Sequence, residues 1–211
     1  FLKKNGVLVI AIENKLGLKY LNGANEDHIG KAMYGVEDLY LHGEPKTFGK
    51  IELLDLLERS SFKFSNFYAS YPDYKIPWFI ACEEFFKNKN FDIVSIIKPS
   101  LLNDQQKNKT QNFSSNLILH SLFNNDLIFD VANSFLIEAS SAKIRKSKSS
   151  WHYSTNRDKY FCKETKFNDL NGVIKITTKK IYSHSHFVNK KNISQTINPN
   201  PKYYKGKILS K

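Results

Sequence analysis

The feature that most constrains this chain is an uninterrupted apolar run near its start, Val7 to Ile12, which stops abruptly at Glu13 and Asn14. A Lys/Asn/Gly turn, Lys3 to Gly6, feeds it. A short aliphatic run bounded by turn formers reads as a strand buried on both faces, the pattern of a parallel sheet. Ligands of open α/β sheets bind outside the carboxyl ends of strands, so Glu13 and Asn14 stand where the edge of a site is expected. The segment that follows, 14–46, is long and irregular, with Glu26, Asp27 and His28 clustered inside it. Long loops within compact domains are functional or disordered, and Leu16, Leu18, Tyr20, Leu21, Met33, Tyr34 and Tyr40 favour packing over disorder.

Further along, Thr47 is read as the N-cap of a helix, with Lys50 at N3 and therefore no capping box. Ile51, Leu53, Leu54, Leu56 and Leu57 give that helix an apolar face, and Ser60 and Ser61 end it. Phe62 to Ala69 sets Phe62, Phe64, Phe67 and Tyr68 among polar residues, which predicts a strand. A turn bracketed by Pro72 and Pro77 follows, then a short element at Trp78–Cys82. Residues 87–116 are rich in Asn, Lys and Gln and are expected to form a surface insertion, with Lys107–Ser115 mobile. Asn116–Phe123 reads as a helix and Ala132–Ala139 as a strand. The Ser/Lys run at 141–150 reads as a linker. Beyond it, Trp151–Thr165 and Gly172–Tyr182 are expected to form two strands around a turn at Asn168–Gly172, opening a second, β-rich module over 151–211. From about Lys190 the chain is expected to be poorly ordered. No internal repeat is found.

Charge divides along the same line. Residues 1–140 carry 15 Lys/Arg against 17 Asp/Glu, a net of −2, and residues 141–211 carry 17 against 3, a net of +14. A basic segment attracts nucleic acid, anionic lipid or anionic glycan, so it allows association with a membrane surface. Only Arg59, Arg145 and Arg157 are arginines. Together with the abundance of Asn and Ile, this points to compositional bias rather than to a phosphate-reading surface, which makes nucleic acid the less favoured partner. No run of about 18 apolar residues is present, so no transmembrane helix is expected. Cys82 and Cys162 stand far apart and are read as buried free thiols, which fits a reducing cytoplasm.

The order buried strand, long loop, Thr-Phe helix, aromatic strand, insertion, strand resembles the second half of a class I S-adenosylmethionine-dependent methyltransferase. Asn5-Gly6-Val7-Leu8-Val9-Ile10 is similar to the turn and fifth strand of that family. Thr47, Phe48, Glu52, Leu53, Leu56, Leu57 and Phe62 are similar to its following helix and turn. Lys63–Ala69 and Ser134–Ala139 would be strands six and seven, paired antiparallel. The stretch from Ile12 to Gly30, with Tyr71–Lys75 and Ala132–Leu136, looks like a bacterial subgroup found in proteins of lipopolysaccharide and related glycan assembly. The resemblance covers about residues 1–140. It implies an α/β fold, a partial Rossmann-like methyltransferase sheet made of strands five to seven, followed by a small β-rich segment. It implies S-adenosyl-L-methionine as cofactor and, as substrate, a glycan or a glycan precursor such as a nucleotide sugar or lipid-linked glycan. The family's main cofactor loop would lie upstream of Phe1, so the chain as it stands is expected to bind the cofactor weakly or not at all, as a fragment that is inactive by itself.

On this resemblance Glu13 and Asn14 orient the methyl donor or the acceptor; as strand-end residues they equally suit capping of the loop. Methyl transfer to a sugar hydroxyl calls for a base. His28, oriented by Asp27 or Glu26, is a candidate, histidine being the side-chain type best suited to accept a proton near neutral pH, unless the three anchor the loop. Lys15, Lys19 and Lys75 could contact an anionic donor or glycan. Tyr20 stands in the same loop, and Tyr71, Asp73 and Tyr74 follow the sixth strand, where rings stack on sugars or pack in the core. No metal site is expected: Glu26, Asp27, His28 and His42 lack zinc spacing, and His184 and His186 read as a solvated face. No Ser-His-Asp spacing, Walker loop or Gly-x-Gly-x-x-Gly is present, so neither a hydrolase nor an NTPase is indicated. The activity that the resemblance implies is methyl transfer to a glycan. Two other readings compete: a non-catalytic Rossmann-like module supporting a fused glycosyl- or phosphotransferase domain, and a nucleic-acid-binding protein using 141–211.

Overall fold

A computed structural model describes residues 2–3, 5–102, 111–182 and 193–197. The readings for His184 and His186, for the first four residues of Lys107–Ser115 and for most of the stretch after Lys190 lie outside the described residues. The described strands form one eight-stranded sheet in the order β1-β4-β2-β3-β5-β6-β7-β8. The strands are β1 (Leu8–Glu13), β2 (Phe64–Tyr71), β3 (Phe79–Cys82), β4 (Ser134–Ser140), β5 (Ser149–Ser154), β6 (Lys163–Leu170), β7 (Val173–Lys180) and β8 (Ile193–Ile197). The helices are α1 (Leu18–Leu21), α2 (Lys50–Arg59), α3 (Glu83–Lys87), α4 (Ile93–Leu101) and α5 (Ser115–Asn124), with a 3₁₀ turn at Lys159–Phe161. The chain is thus mixed α/β, and every strand pairing is antiparallel. β1 and β2 flank β4 and both run against it, so they point the same way without touching. The pairing of β2 with β4 matches the antiparallel pair read from the sequence.

Two expectations about strands exchange places. β1, read as buried on both faces, pairs with β4 alone among the described strands and alternates in burial, with Val7 44% and Val9 60% exposed. β2, read as alternating, is buried continuously from Asn66 to Tyr71. Position in the sheet decides burial more than apolarity does. β2 is central, between β4 and β3, so even Asn66 and Ser70 are shielded, whereas β1 has a neighbour on one side only.

Most of the core lies on one face, with Tyr68 and Cys82 buried on the other. Cross-strand register aligns Ile10 and Ile12 of β1 with Phe135, Ile137 and Ala139 of β4, Phe67, Ala69 and Tyr71 of β2, and Phe79 and Ala81 of β3. α3 and α4 pack on β2 and β3, α5 packs on α4, and Leu53 and Leu57 of α2 join the same core. The segment 87–116, expected on the surface, is therefore corrected. Ile93, Val94 and Ile97 of α4 are buried, and Asp92 caps that helix by accepting from Ser95 N at 3.0 Å. Its polar composition reflects the flanks, not the helix. The cap of α2 also differs from expectation. Gly49 is the N-cap, and the Glu52 carboxylate accepts from Gly49 N–H at 2.6 Å, half of a capping box. Ser60 ends the helix as read.

The sheet runs unbroken across 141–150. Phe79, Ile80 and Ala81 of β3 pair with His152, Trp151 and Ser150 of β5, and Phe167 packs edge-on against Phe91 with ring centroids 5.2 Å apart. The stretch Trp151–Thr165, read as one strand, is two, because the 3₁₀ turn at Lys159–Phe161 reverses the chain between β5 and β6. The turn between β6 and β7 falls where read, with Asn171 and Gly172 both at positive φ. Cys82 and Cys162 are buried and unpaired, and burial pushes the Cys82 thiol up to about 12, helped by the Glu84 charge.

Candidate functional site

At the end of the sheet where β1 and β2 finish, the chain builds a compact charged cluster. The loop after β1 is fastened first. The Asn14 side chain donates to Asp130 O at 2.7 Å and Ala132 O at 2.8 Å and accepts from Leu16 N at 3.1 Å. Gly17 then lies directly on the strand-entry segment; a Cβ there would meet Asn133 Cα at 2.9 Å. Leu18 N donates to Val131 O at 2.8 Å, and Lys19 N donates to the Asn133 side chain at 2.9 Å. The other side-chain atom of Asn133 donates to Pro72 O at 2.8 Å, so one buried asparagine ties the β1 loop to the turn after β2.

This stapling brings together Glu13, Lys19, Tyr20, Asp27, Asp73, Tyr74 and Lys75. The Lys19 ammonium, on a side chain only 3% exposed, sits 2.8 Å from Asp73 and 3.5 Å from Asp27. Tyr20 donates to the same Asp27 oxygen. Lys75 reaches Glu13 at 2.7 Å and Asp27 at 3.9 Å, and the Tyr74 hydroxyl donates to Glu13 at 3.2 Å. Tyr74 N donates to Ser134 Oγ at 2.8 Å, which fixes the turn over the start of β4. The three carboxylates are nearly buried, while the Lys75 side chain is half-exposed and forms the mouth. Three carboxylates face two ammonium groups, so the cluster leans negative.

Electrostatics hold its donors protonated. Burial lifts the Tyr20 phenol far above its ordinary value, with the Asp27 hydrogen bond and charge adding to it. Tyr74 is raised by burial and by the Glu13 charge. Burial alone would lower the Lys75 ammonium, but its bond to Glu13 and the charges of Asp73 and Asp27 outweigh that and hold it above its usual range. Neither phenol serves as a base near neutrality. Both donate hydrogen bonds, and the carboxylates accept them.

The remaining candidates lie elsewhere. The Glu26 carboxylate is spent on its own loop, accepting from His28 N at 2.7 Å, Ile29 N at 2.6 Å and the Tyr40 hydroxyl at 3.1 Å. His28 is exposed, its backbone N–H bonded to Glu26, while Asp27 accepts from Tyr20 and lies 3.5 Å from the Lys19 ammonium. Lys15 pairs with Glu52 at 2.8 Å and Asp38 at 3.3 Å, outside the cluster. Tyr71 is core, 1% exposed, its hydroxyl donating to Ile128 O at 2.7 Å. Asn14 has both side-chain groups committed to the loop. Asn133 and Ser134, which position the cluster, are not among the site residues read from the sequence, although the stretch Ala132–Leu136 that carries part of the resemblance contains both. Among the described residues no group of three or more His, Cys, Asp or Glu is placed to hold a metal ion. Among them also, no helix is long and apolar enough to cross a membrane.

Of the residues read as cofactor contacts, Asn14 has its side chain committed to the loop and Glu13 is engaged by Lys75 and Tyr74. The groups of the cluster are of types that exchange hydrogen bonds with hydroxyls, and in the structure they engage one another. Carboxylates accept from vicinal hydroxyls, an ammonium and phenols donate, and the ring of Tyr74 stands beside them. No protein-family model, curated protein or solved structure matches this chain.

Proposed function

We propose that this chain forms the acceptor side of an S-adenosylmethionine-dependent methyltransferase acting on a glycan or glycan precursor. The observation that supports this reading is the convergence of Glu13, Asp73, Tyr74 and Lys75 at the shared end of β1 and β2, with Lys19, Tyr20 and Asp27 behind them. The arrangement of β1 and β2 on either side of a reversed β4 is compatible with strands five, seven and six of that family. In this reading the chain binds and orients the sugar, and rate comes chiefly from alignment of the reacting hydroxyl with the methyl donor. In the same reading His28, exposed one residue after Asp27, takes the hydroxyl proton of the bound acceptor.

The test is transfer of labelled methyl from S-adenosylmethionine to nucleotide sugars and lipopolysaccharide core oligosaccharides by the intact gene product. Expected is O-methylation of at least one acceptor, with Asp73→Asn raising its KM by about tenfold, the scale of one lost charged hydrogen bond. His28→Ala should lower kcat by about a hundredfold if it is the base; unchanged turnover removes it from the mechanism. A second reading, a non-catalytic module supporting a fused glycosyl- or phosphotransferase domain, is favoured by the internal satisfaction of Asn14 and Glu26. Absence of methyl transfer to any glycan, with no heat on cofactor titration, would replace the first reading by the second.

A further inference from the structure

We propose that the turn joining β5 to β6, together with the end of β7, is a docking surface for an anionic lipid bilayer. Four large side chains meet there and face solvent: Phe161 is 64% exposed, Tyr182 55%, Tyr160 44% and Ile181 38%. They form one patch, because Ile181 N donates to Cys162 O at 3.0 Å and places the end of β7 beside the 3₁₀ turn. The turn beneath is well defined. Asp158 caps it, accepting from Tyr160 N at 3.0 Å, and buried Cys162 points its thiol at the carbonyls of Thr155, Arg157 and Asp158. Exposure of Phe161 is thus a consequence of a built turn. Contiguous apolar exposure of this kind marks an interaction site.

Charge selects the partner. Arg157, Lys159, Lys163, Lys179 and Lys180 surround the patch against Asp158 and Glu164, a net of +3. Glu164 is taken by Lys179 at 3.0 Å. Lys163 and Lys180 lie directly opposite each other in the β6–β7 ladder, and neither has a carboxylate partner among the described residues. Like charges directly opposite destabilise a sheet, and an anionic surface relieves that repulsion. Ile181 offers nothing to a phosphate or a base and inserts readily at an acyl boundary, where Phe161 joins it, although a phenyl ring also stacks on a base. Aromatic rings mixed with lysine are the composition of a membrane interface. These features favour a bilayer over a nucleic acid.

The location adds a consequence. Strand directions place this patch at the same end of the sheet as the Glu13–Asp73 cluster, with β6 three strands from β2, roughly 14 Å at ordinary strand spacing. Docking would therefore bring the cluster to the lipid surface and suit it to lipid-linked glycans; that consequence rests on the glycan reading, while the docking itself does not.

Cosedimentation of the 211-residue chain with vesicles tests it. Binding is expected to vesicles of phosphatidylglycerol and phosphatidylethanolamine, and not to phosphatidylcholine alone. The pair Phe161→Ser/Ile181→Ser and the pair Lys163→Glu/Lys180→Glu should each cut partitioning by about tenfold or more. All four side chains lie outside the core, and Leu117→Ser, at a residue 77% exposed on α5, should change nothing. No binding to anionic vesicles, undiminished binding by either double variant, or retention of a single-stranded oligonucleotide in place of vesicles would each overturn the proposal. Methyl transfer enters no arm, so the result is independent of the activity assay.

Discussion

Lys19 shows how much one side chain can depend on its surroundings. Its ammonium is buried between Asp27 and Asp73, and its backbone is held by Asn133. Replacing it with Met keeps the stem and removes the charge, which leaves two carboxylates without their main counter-ion. Lys19→Met should cost about 3–5 kcal/mol, read as a lower midpoint of urea unfolding. Adding Asp73→Asn should recover part of the loss, since the two residues share one interaction. His152 provides a pH signature. Burial, with the Arg157 charge behind it, lowers its pKa below the ordinary 6.5, so the folded chain prefers the neutral ring. Below pH 6.5 the unfolded chain binds the proton first, and stability falls as pH drops. His152→Gln should flatten the unfolding midpoint between pH 6.5 and 5 relative to the parent chain. At this scale much of the cluster was legible: Glu13, Lys19, Tyr20, Asp27, Asp73, Tyr74 and Lys75 are charged or phenolic residues in two loops that follow two strands. Glu26, Asn14 and Tyr71 were not separable from them, because a residue's type does not say whether its polar atoms are spent on its own backbone.

At the scale of elements, the physical contrast is between β1 and β2. Composition makes β1 the more apolar strand, yet its place in the sheet leaves Val9 60% exposed, whereas Ala69 in β2 is fully buried. Val9→Thr should therefore change stability by less than about 0.5 kcal/mol, while Ala69→Leu should cost about 1–3 kcal/mol by overpacking. Chemical denaturation of the two variants side by side checks both. The helices were read where a one-sided apolar face was present, as in α2 and α5. α4 was missed because its short apolar stretch, Ile93 to Ile97, sits inside an Asn- and Lys-rich region that dominates any window average. Its N-cap, Asp92, was the available signal.

Across the whole molecule, the continuity of the sheet matters most. β3 hands over to β5, and Phe91 and Phe167 join the two ends of the core, so residues before and after 141–150 share one packed layer. Unfolding should accordingly be a single transition: Trp151 emission, far-ultraviolet dichroism and amide exchange of β2 and β6 should give one midpoint. Two separated midpoints would mean that β5–β7 fold as an independent unit. Charge asymmetry was plain in the sequence, with the basic residues gathered after 141, but its use was not. Only the folded chain sets Lys163 opposite Lys180 and lays Phe161 beside Ile181.

By itself the sequence determined where most of the strands and two of the five described helices, α2 and α5, form, that two loops carry carboxylates, lysines and tyrosines, and that the chain's end is basic. These follow from local periodicity, turn chemistry and composition, which act over a few residues. Tertiary structure alone decided which strand is central, which polar groups are consumed in holding loops, and that Glu13 and Asp73, sixty residues apart, converge on one lysine pair. Sheet order and long-range hydrogen bonds such as those of Asn133 join segments by closing the chain on itself, and no local pattern encodes the result.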